Sequence, residues 1–577
     1  MLFKELACYF EKIEKNSSRL VITEILADLF NKLTSEEIEK AVYLLAGRIC
    51  PPYKHIEFGM AEKTVVKAAL SAFNLDKDYF TKELQKRGDI GSTVEFFKKQ
   101  YVSFEEKDLT ILEVFHELYR IASAEGDGSQ EDKIQILSFL IRQLDGLSTR
   151  YLVRIPQAMM RLGFSDMTVL DSYSWMLTGD KSLRPEIERA FHVRPDLGVI
   201  GKILKEKGVK GLKTIEPELF TPIIMMRAER LSSGDEIIKQ IGECAIEPKY
   251  DGFRLQIHYK NGEVRLYSRS LEDVTFVYPD IVEGVKKEVR AESAIFEGEA
   301  IGFDPQSGSF LPFQETVQRK RKYDIAAKAK EIPLRLFSFE LLFADEVNYI
   351  HKSFLERRKK LEEIIQISGS TFEDTVVLAP HEIMNDGHKI EANFDDAVSR
   401  GLEGIIAKKL DGIYQPGARG WNWIKFKRSY SSKINDTVDC LVMGYDFGKG
   451  KRTDFGIGAF LAGVYDKKED VFVTIAKIGT GLTDEEWREL KVKGQRSKVK
   501  SKPDNYSVVE QMSCDVWIAP AIVVEIKADE LTKSPIHTAG FALRFPRLER
   551  FRDDKIPTDV TGLAEIESIF KEQEKTK

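Results

Sequence analysis

The stretch Glu247-Pro248-Lys249-Tyr250-Asp251-Gly252-Phe253-Arg254 sets a lysine at the end of an apolar run and ahead of a glycine turn. A lysine amine is a nucleophile only when neutral, and an ordinary lysine titrates near ~10.4, so such chemistry needs burial or neighbouring cations. Alone, Lys249–Gly252 could equally be part of a surface hairpin. Other candidates follow along the chain. Glu297 and Glu299 alternate in phase after the apolar run Ser293–Phe296, and Glu403 opens Glu403-Gly404-Ile405-Ile406-Ala407-Lys408. Carboxylates are what a hard cation such as Mg²⁺ prefers. Lys425 and Lys427 have strand spacing and so share one side. Two basic groups on one strand face suit a phosphate and are uncommon in a core. Phe339, read alone, belongs to a buried-strand pattern, and Trp423 reads as packing.

Taken together and in this order, Lys249–Arg254, Ser268-Arg269, Phe296–Glu299, Phe337-Ser338-Phe339-Glu340, Glu403–Lys408 and Trp423–Lys427 resemble the motif set of the covalent nucleotidyltransferases. That superfamily holds DNA ligases, RNA ligases and mRNA capping enzymes. The resemblance implies that Lys249 attacks the α-phosphate of ATP, giving a lysine–AMP phosphoramidate and pyrophosphate. Charge on the reacting phosphate must then be neutralised by the site. It further implies that Glu247 accepts from the adenine amino group and Phe339 stacks on the base. Arg254 and Arg269 would reach the ribose or phosphates. Lys408, Arg419, Lys425 and Lys427 would contact the triphosphate, and Glu299 and Glu403 would hold Mg²⁺ (or Mn²⁺). Ala542-Leu543-Arg544-Phe545-Pro546-Arg547 resembles the last motif of DNA ligases and capping enzymes, in which Arg544 and Arg547 would orient the pyrophosphate. Asp553-Asp554-Lys555-Ile556-Pro557 follows, as in archaeal and eukaryotic replicative DNA ligases. Glu297 and Glu340 stand where that family more often has Asp, and Thr221–Arg230 departs from its usual domain entrance.

These motifs need elements to position them. Residues 1–213 read as helical. Leu20, Val21, Ile25, Leu26, Leu29, Phe30 and Leu33 follow a helical period, and Thr34 with Glu37 forms a capping box for the next helix. Another helix is expected from Ser129. Around Thr214 two prolines and lost periodicity mark a linker. Then Phe253, Leu255, Ile257 and Tyr259 alternate with Arg254, Gln256 and His258, and Asn261-Gly262 supplies a hairpin turn. Strands mixed with helices run to about 428. From 429 onward short strands with glycine-rich turns suggest a small barrel with one helical insert capped by Thr483 and Glu486. The expected fold is multidomain α+β: an all-helical DNA-binding domain (1–213), an α+β adenylation domain (214–428) and a C-terminal OB-fold β-barrel (429–577).

Composition narrows the alternatives. Hydrophobic residues are 42% and charged residues 31% of 577, ordinary for globular domains and enough for about three of them. The net charge of −6 argues against coating nucleic acid through bulk charge, but leaves local basic patches such as 488–502 open. Five scattered cysteines form no CxxC pair, so neither a disulfide framework nor a zinc module is expected. That disfavours an NAD-dependent DNA ligase. A capping enzyme or RNA ligase would lack the helical front region, and a non-catalytic scaffold would not need Lys249, Glu299, Glu403, Lys425 and Lys427 together. No apolar window reaches membrane length and the first residues carry charges, so a cytoplasmic monomer is expected. In the helical region the resemblance implies binding to nicked duplex DNA. Gly126, Gly128 and Ser129 would let backbone amides approach phosphates, and Arg154 and Arg161 would contact them. A sliding clamp is a further candidate partner, with Gln100–Phe104 as a poor match to a clamp-binding segment.

Overall fold

The protein is described by a computed structural model covering residues 1–100, 105–303, 310–311, 313–319, 325–365, 374–399, 402–427, 437–447, 456–479, 482–528, 530–544 and 546–575. The chain packs as two compact units. The first holds Met1–Glu229, Ile237–Asn385 and Ile406–Ile424; the second holds Arg230–Glu236, Asp386–Ile405 and Lys425–Lys577.

The first unit begins with helices α1 (Phe3–Glu14), α2 (Arg19–Lys32), α3 (Ser35–Leu45), α4 (Glu62–Phe73), α5 (Lys77–Arg87), α6 (Ile90–Gln100), α7 (Ile111–Ser123), α8 (Ser129–Gln143), α9 (Gly146–Arg154), α10 (Asp166–Thr178), α11 (Arg184–Val193) and α12 (Leu197–Leu212). The capping box before α3 forms as its sequence demands: Glu37 N–H donates to Thr34 Oγ1 at 3.2 Å and Thr34 N–H to Glu37 Oε2 at 2.9 Å. Such caps fix where each helix starts; the apolar stripes fix what it faces. Phe3 and Phe10 of α1, Phe30 of α2, Tyr151 of α9 and Tyr173 of α10 fill one core.

The sheets follow. Their strands are β1 (Arg227–Arg230), β2 (Cys244–Lys249), β3 (Phe253–Lys260), β4 (Glu263–Ser268), β5 (Ser293–Gly302), β6 (Leu334–Ala344), β7 (Val347–Asn348), β8 (Val376–Leu378), β9 (Glu382–Met384), β10 (Gly404–Lys409) and β11 (Arg419–Lys427). One sheet runs β1-β11-β10-β2-β9; the other runs β4-β3-β5-β6-β7 with β8 beside β6. The β3–β4 hairpin turns on Asn261 and Gly262, both at positive φ (46° and 90°), as a tight primed turn requires. On β3 the apolar set Leu255, Ile257 and Tyr259 joins a core with Ile281, Val285, Leu361 and Ile364. The other face is not solvated. Gln256 and His258 there are fully buried under the linker segment 219–226.

In the second unit, β12 (Val438–Asp446), β13 (Ala459–Asp466), β14 (Val471–Ile478), β15 (Lys498–Val499), β16 (Tyr506–Ser507), β17 (Val516–Ile518), β18 (Val523–Lys527), β19 (Glu530–Lys533), β20 (Phe541–Arg544) and β21 (Arg547–Phe551) form a β domain. Its main sheet runs β15-β17-β12-β13-β14-β16, with β18 bridging β12 and β21. The expected helical insert spans Asp484–Arg496, capped by Thr483 and Glu486. It carries much of the basic run 488–502, where Lys493 is paired with Glu489 and Asp553.

Candidate functional site

Lys249 ends β2, half-buried, and its loop is anchored on both sides. Tyr250 stacks on Phe337 at 4.2 Å between ring centroids. Gly252 lies so close to β5 that a Cβ there would fall 2.2 Å from the Ala300 carbonyl oxygen and 3.3 Å from Glu299 Cγ. Glycine is therefore dictated by backbone approach, and the approach aligns β3 with β5 so that Arg254 stands opposite Glu299. Both carboxylates of the Glu297–Glu299 motif thus sit on a strand whose register the loop after Lys249 helps to set.

Two residues before Lys249, Glu247 is buried, with 3% exposure. Its Oε2 accepts from Lys408 Nζ at 2.8 Å; Lys408 is 1% exposed and also donates to the Phe339 carbonyl at 2.7 Å. Burial pushes the Glu247 carboxyl up and the Lys408 amine down, while each partner's charge opposes the shift. Glu247 Oε1 has no hydrogen-bond partner among the described residues, although it too is buried. A buried acceptor left open costs about 1–3 kcal/mol, so a ligand N–H that fills it is favoured. Phe339 is half-buried, edge-on to Trp423 at 6.0 Å, with the cations of Arg254 and Lys408 at 5.5 and 5.0 Å from its ring. Beneath it, Glu340 takes a two-pronged ion pair from Arg357 (2.7 and 3.0 Å), both 1% exposed.

Arg254 is oriented by Glu297 Oε2 at 2.6 Å and the Met226 carbonyl at 2.8 Å. Glu297, fully buried, also accepts from Gln256 Nε2 (3.1 Å) and the Tyr414 hydroxyl (3.0 Å) through Oε1. Sequence alone does not single out Gln256, Tyr414 or Arg357 as site residues. A polar residue recurring on the outward face of a strand is the signal that could have marked Gln256. Arg269 follows β4 and is exposed, as is Arg419 at the start of β11. Glu403 precedes β10 and Lys425 lies on β11, both half-buried. Lys427 ends β11, and its side chain lies outside the described residues.

Lys408 is enclosed between Glu247, Phe339 and Trp423, the cation that a buried carboxylate demands. Arg154 is buried in the helical region. It is 2% exposed and held by Asp89 (2.6 Å) and Glu14 (3.0 Å). Arg161 is half-exposed, donates to the Gly88 carbonyl at 3.3 Å and lies 3.6 Å from Asp89. Gly126 and Gly128 have positive φ (87° and 84°) and open space where a side chain would stand. The Ser129 N–H donates to the Gly126 carbonyl, and Glu131 and Asp132 occupy the first turn of α8. Arg544 ends β20, half-buried, and Arg547 begins β21, exposed. Phe545 and the segment 101–104 lie outside the described residues.

Comparison with known proteins agrees with this architecture. Residues 225–427 match the ATP dependent DNA ligase domain, residues 2–174 the DNA ligase N terminus and residues 453–555 the ATP dependent DNA ligase C terminal region. The chain is 47% identical over 586 residues to a probable DNA ligase of Dictyoglomus turgidum, covering 100% of this chain and 99% of that one. It is 40% identical over 593 residues to a DNA ligase of Sulfurisphaera tokodaii, covering 99% and 98%. Among solved structures, one titled Pmar-Lig_PreS3 shares the fold, with a TM-score of 0.53 at 16% identity over 95% of this chain and 99% of that one. With matches spanning its helical, middle and C-terminal parts, the chain belongs to the ATP-dependent DNA ligases.

Proposed function

We propose that Lys249 is the residue through which this DNA ligase takes AMP from ATP and passes it to a nick in duplex DNA. In the first step the Lys249 amine attacks the α-phosphorus and pyrophosphate leaves. In the second, an oxygen of the 5′-phosphate at the nick attacks the AMP phosphorus and the lysine nitrogen leaves. In the third, the 3′-hydroxyl attacks that 5′-phosphate and AMP departs, closing the phosphodiester. The observation that carries the reading is the open, buried acceptor Glu247 Oε1 two residues from Lys249 on the same strand. A base held there would bring its phosphate toward the end of β2.

Within this reading Phe339 stacks on the adenine. Arg254, fixed from behind by Glu297, meets the ribose or α-phosphate, and Arg269, Arg419, Lys425 and Lys427 meet the phosphates. Arg544 and Arg547 serve the departing pyrophosphate. Mg²⁺ (or Mn²⁺) bound with the nucleotide neutralises phosphate charge and raises the electrophilicity of phosphorus. No cluster of three His, Cys, Asp or Glu side chains among the described residues could form a protein-only cage. Glu299 and Glu403 supply the oxygen donors Mg²⁺ prefers, and one or two carboxylates completed by substrate phosphates is how this ion is commonly held. The helical, adenylation and barrel parts would divide at 1–213, 214–428 and 429–577. Arg161, Gly128 and Ser129 would face the DNA backbone. No helix among the described residues is long and apolar enough to cross a membrane. A cytoplasmic monomer, with a sliding clamp as an additional partner, completes the proposal.

Incubation with α-labelled ATP and Mg²⁺, without DNA, tests it. Wild type should take up acid-labile, alkali-stable label, and Lys249→Ala should take up none. Absence of label on wild type would refute the assignment, as would undiminished label on Lys249→Ala.

A further inference from the structure

Strands β19 and β20 form a two-stranded sheet of their own, and Arg544 stands at its end. Such a ribbon is marginal in water unless other elements cover it. Its loop end is bolted to the barrel: Thr474 N–H donates to Thr538 Oγ1 at 2.7 Å and Thr538 N–H to Thr474 Oγ1 at 2.9 Å. Arg544 lies at the other end, opposite Glu530 in the register. There the support comes from the C-terminal helix, Leu563–Lys575. Gln573 Nε2 donates to the Leu531 carbonyl and Gln573 Oε1 accepts from the Leu531 N–H, both at 2.9 Å. One side-chain amide thus makes the two bonds that a third strand would make. In an antiparallel pair, a residue whose N–H and C=O point outward leaves the cross-strand bonds to its neighbours, here Glu530↔Arg544 and Thr532↔Ala542. Gln573 therefore grips the ribbon one residue from the pair that holds Arg544. Apolar contacts complete the seat: the rings of Phe541 and Phe570 lie 5.0 Å apart, and Leu531, Leu543, Ile566 and Phe570 share the barrel's core. The helix is tied to the barrel just before its start. Thr561 N–H donates to the Asp439 carbonyl at 3.0 Å, and the Thr561 carbonyl accepts from Tyr465 N–H at 3.2 Å.

We propose that Gln573 is a positioning residue for adenylation: through the backbone of Leu531 it holds the strand end from which Arg544 serves the departing pyrophosphate. This inference rests on the reading of Lys249 and Arg544 given above. In that step the Lys249 nitrogen bonds the α-phosphorus, the bond from that phosphorus to the bridging oxygen breaks, and pyrophosphate carries the oxygen away. Gln573 touches none of these atoms. Without it the outward N–H and C=O of Leu531 lose their partners, and the end of a marginal ribbon frays where Arg544 begins. A guanidinium on a frayed end meets the leaving group in fewer of its conformations, so the loss falls on adenylation and on its reversal by pyrophosphate. Sealing of an already adenylated nick expels AMP and no pyrophosphate, so it should not feel Gln573.

Three rates on the full-length protein test this: single-turnover labelling with α-labelled ATP, release of that label by added pyrophosphate, and sealing of a pre-adenylated nick. Gln573→Met keeps the side chain's length and loses both bonds. It should slow labelling and release by about ten-fold and raise the pyrophosphate concentration that gives half-maximal release. Sealing should stay within about two-fold of wild type. Gln573→Glu sets an oxygen against the Leu531 carbonyl and should slow the same two rates. Hydrogen exchange on the wild type checks the geometry without any variant: the Leu531 N–H should be protected as a bonded amide is. Thermal melts identify a variant that has lost its fold, and the other variant and the Leu531 exchange then decide. No label on wild type would sink the Lys249 reading, and labelling of Arg544→Ala at the wild-type rate would sink the reading of Arg544. With both of those intact, folded Gln573 variants that label at the wild-type rate would overturn only the positioning role. So would variants that lose sealing as much as labelling, or a Leu531 amide that exchanges as if unbonded.

Discussion

Gly252 offers the most direct test of how the loop after Lys249, the proposed nucleophile, is tied to the carboxylates of β5. In Gly252→Ala the new Cβ would meet the Ala300 carbonyl oxygen at 2.2 Å and Glu299 Cγ at 3.3 Å. A short C···O contact is about 3.3 Å, so β3 and β5 must part locally by about 1 Å. The neighbour that must move is backbone, which yields far less readily than a side-chain tip. Overpacking of this kind costs roughly 1–3 kcal/mol of stability. The catalytic effect should be larger than the stability effect suggests. Phe253 faces Ala300 and Arg254 faces Glu299 across the displaced pairing. A misplacement of about 1 Å at reacting groups can slow chemistry about 10²-fold, equivalent to roughly 2.7 kcal/mol of barrier. Single-turnover labelling with α-labelled ATP, run below the melting temperature of the variant, should show that loss with Lys249 intact. Labelling within about two-fold of wild type would refute the argument that this glycine sets the β3–β5 register.

Two further outcomes concern the helical region. Arg161→Ala should lower the slope of log affinity against log salt for nicked duplex by about 1 and leave the melting temperature nearly unchanged, whereas Arg154→Met should cost roughly 3–5 kcal/mol of stability and leave the slope alone. A reversed pattern in salt titrations and melts would return Arg154 to the surface. At Asp89, burial pushes the carboxyl up, but the Arg154 guanidinium and the Ser92 amide and hydroxyl outweigh it and hold it at about 2. A carboxyl lowered in the folded state contributes stability above its unfolded value of about 3.9, and that contribution fades as pH falls toward the folded value. Melts from about pH 5 to 2 should therefore show wild type losing stability over Asp89→Asn in that window, and parallel curves would contradict the assignment.

Much of this molecule was legible because local signals were also global ones. The Thr34–Glu37 and Thr483–Glu486 boxes, the Asn261-Gly262 turn and the alternation on β3 each depend on neighbours within a few residues. The motif order, by contrast, points to Lys249, Glu247 and Arg254 only through their resemblance to a family. Less legible was which cations are buried. Sequence does not separate Lys408 and Arg154 from exposed cations, because lysine and arginine serve phosphates and buried carboxylates alike. The partners that decide, Glu247 for Lys408, and Asp89 and Glu14 for Arg154, come from distant segments. Burial, and not residue type, settles which role each takes.

The same point explains the polar face of β3, which alternation alone assigns to water. Every backbone N–H and C=O of Phe220, Ile223 and Met226 is taken by a side chain. Phe220 N–H donates to His258 Nδ1 and its carbonyl accepts from Tyr267; both groups of Ile223 bind the Gln256 amide; Met226 N–H donates to the Tyr414 hydroxyl and its carbonyl accepts from Arg254. The partners fix the tautomer, since an N–H must donate to Nδ1, which leaves the proton on His258 Nε2 to reach Gln256 Oε1 at 3.0 Å. Burial pushes the imidazole down to about 3, so it stays neutral and the chain of bonds persists across ordinary pH. From Gln256 and Tyr414 the bonds converge on Glu297, and from Glu297 on Arg254. A strand face that looks solvent-facing in sequence is therefore a hydrogen-bonded bed beneath the proposed nucleotide site. Buried networks of this kind lock rotamers; Arg254 is held through Nη1 and Nη2 while its Nε has no hydrogen-bond partner among the described residues, and a guanidinium so held can meet a phosphate in one geometry without the ordering being repeated at each turnover.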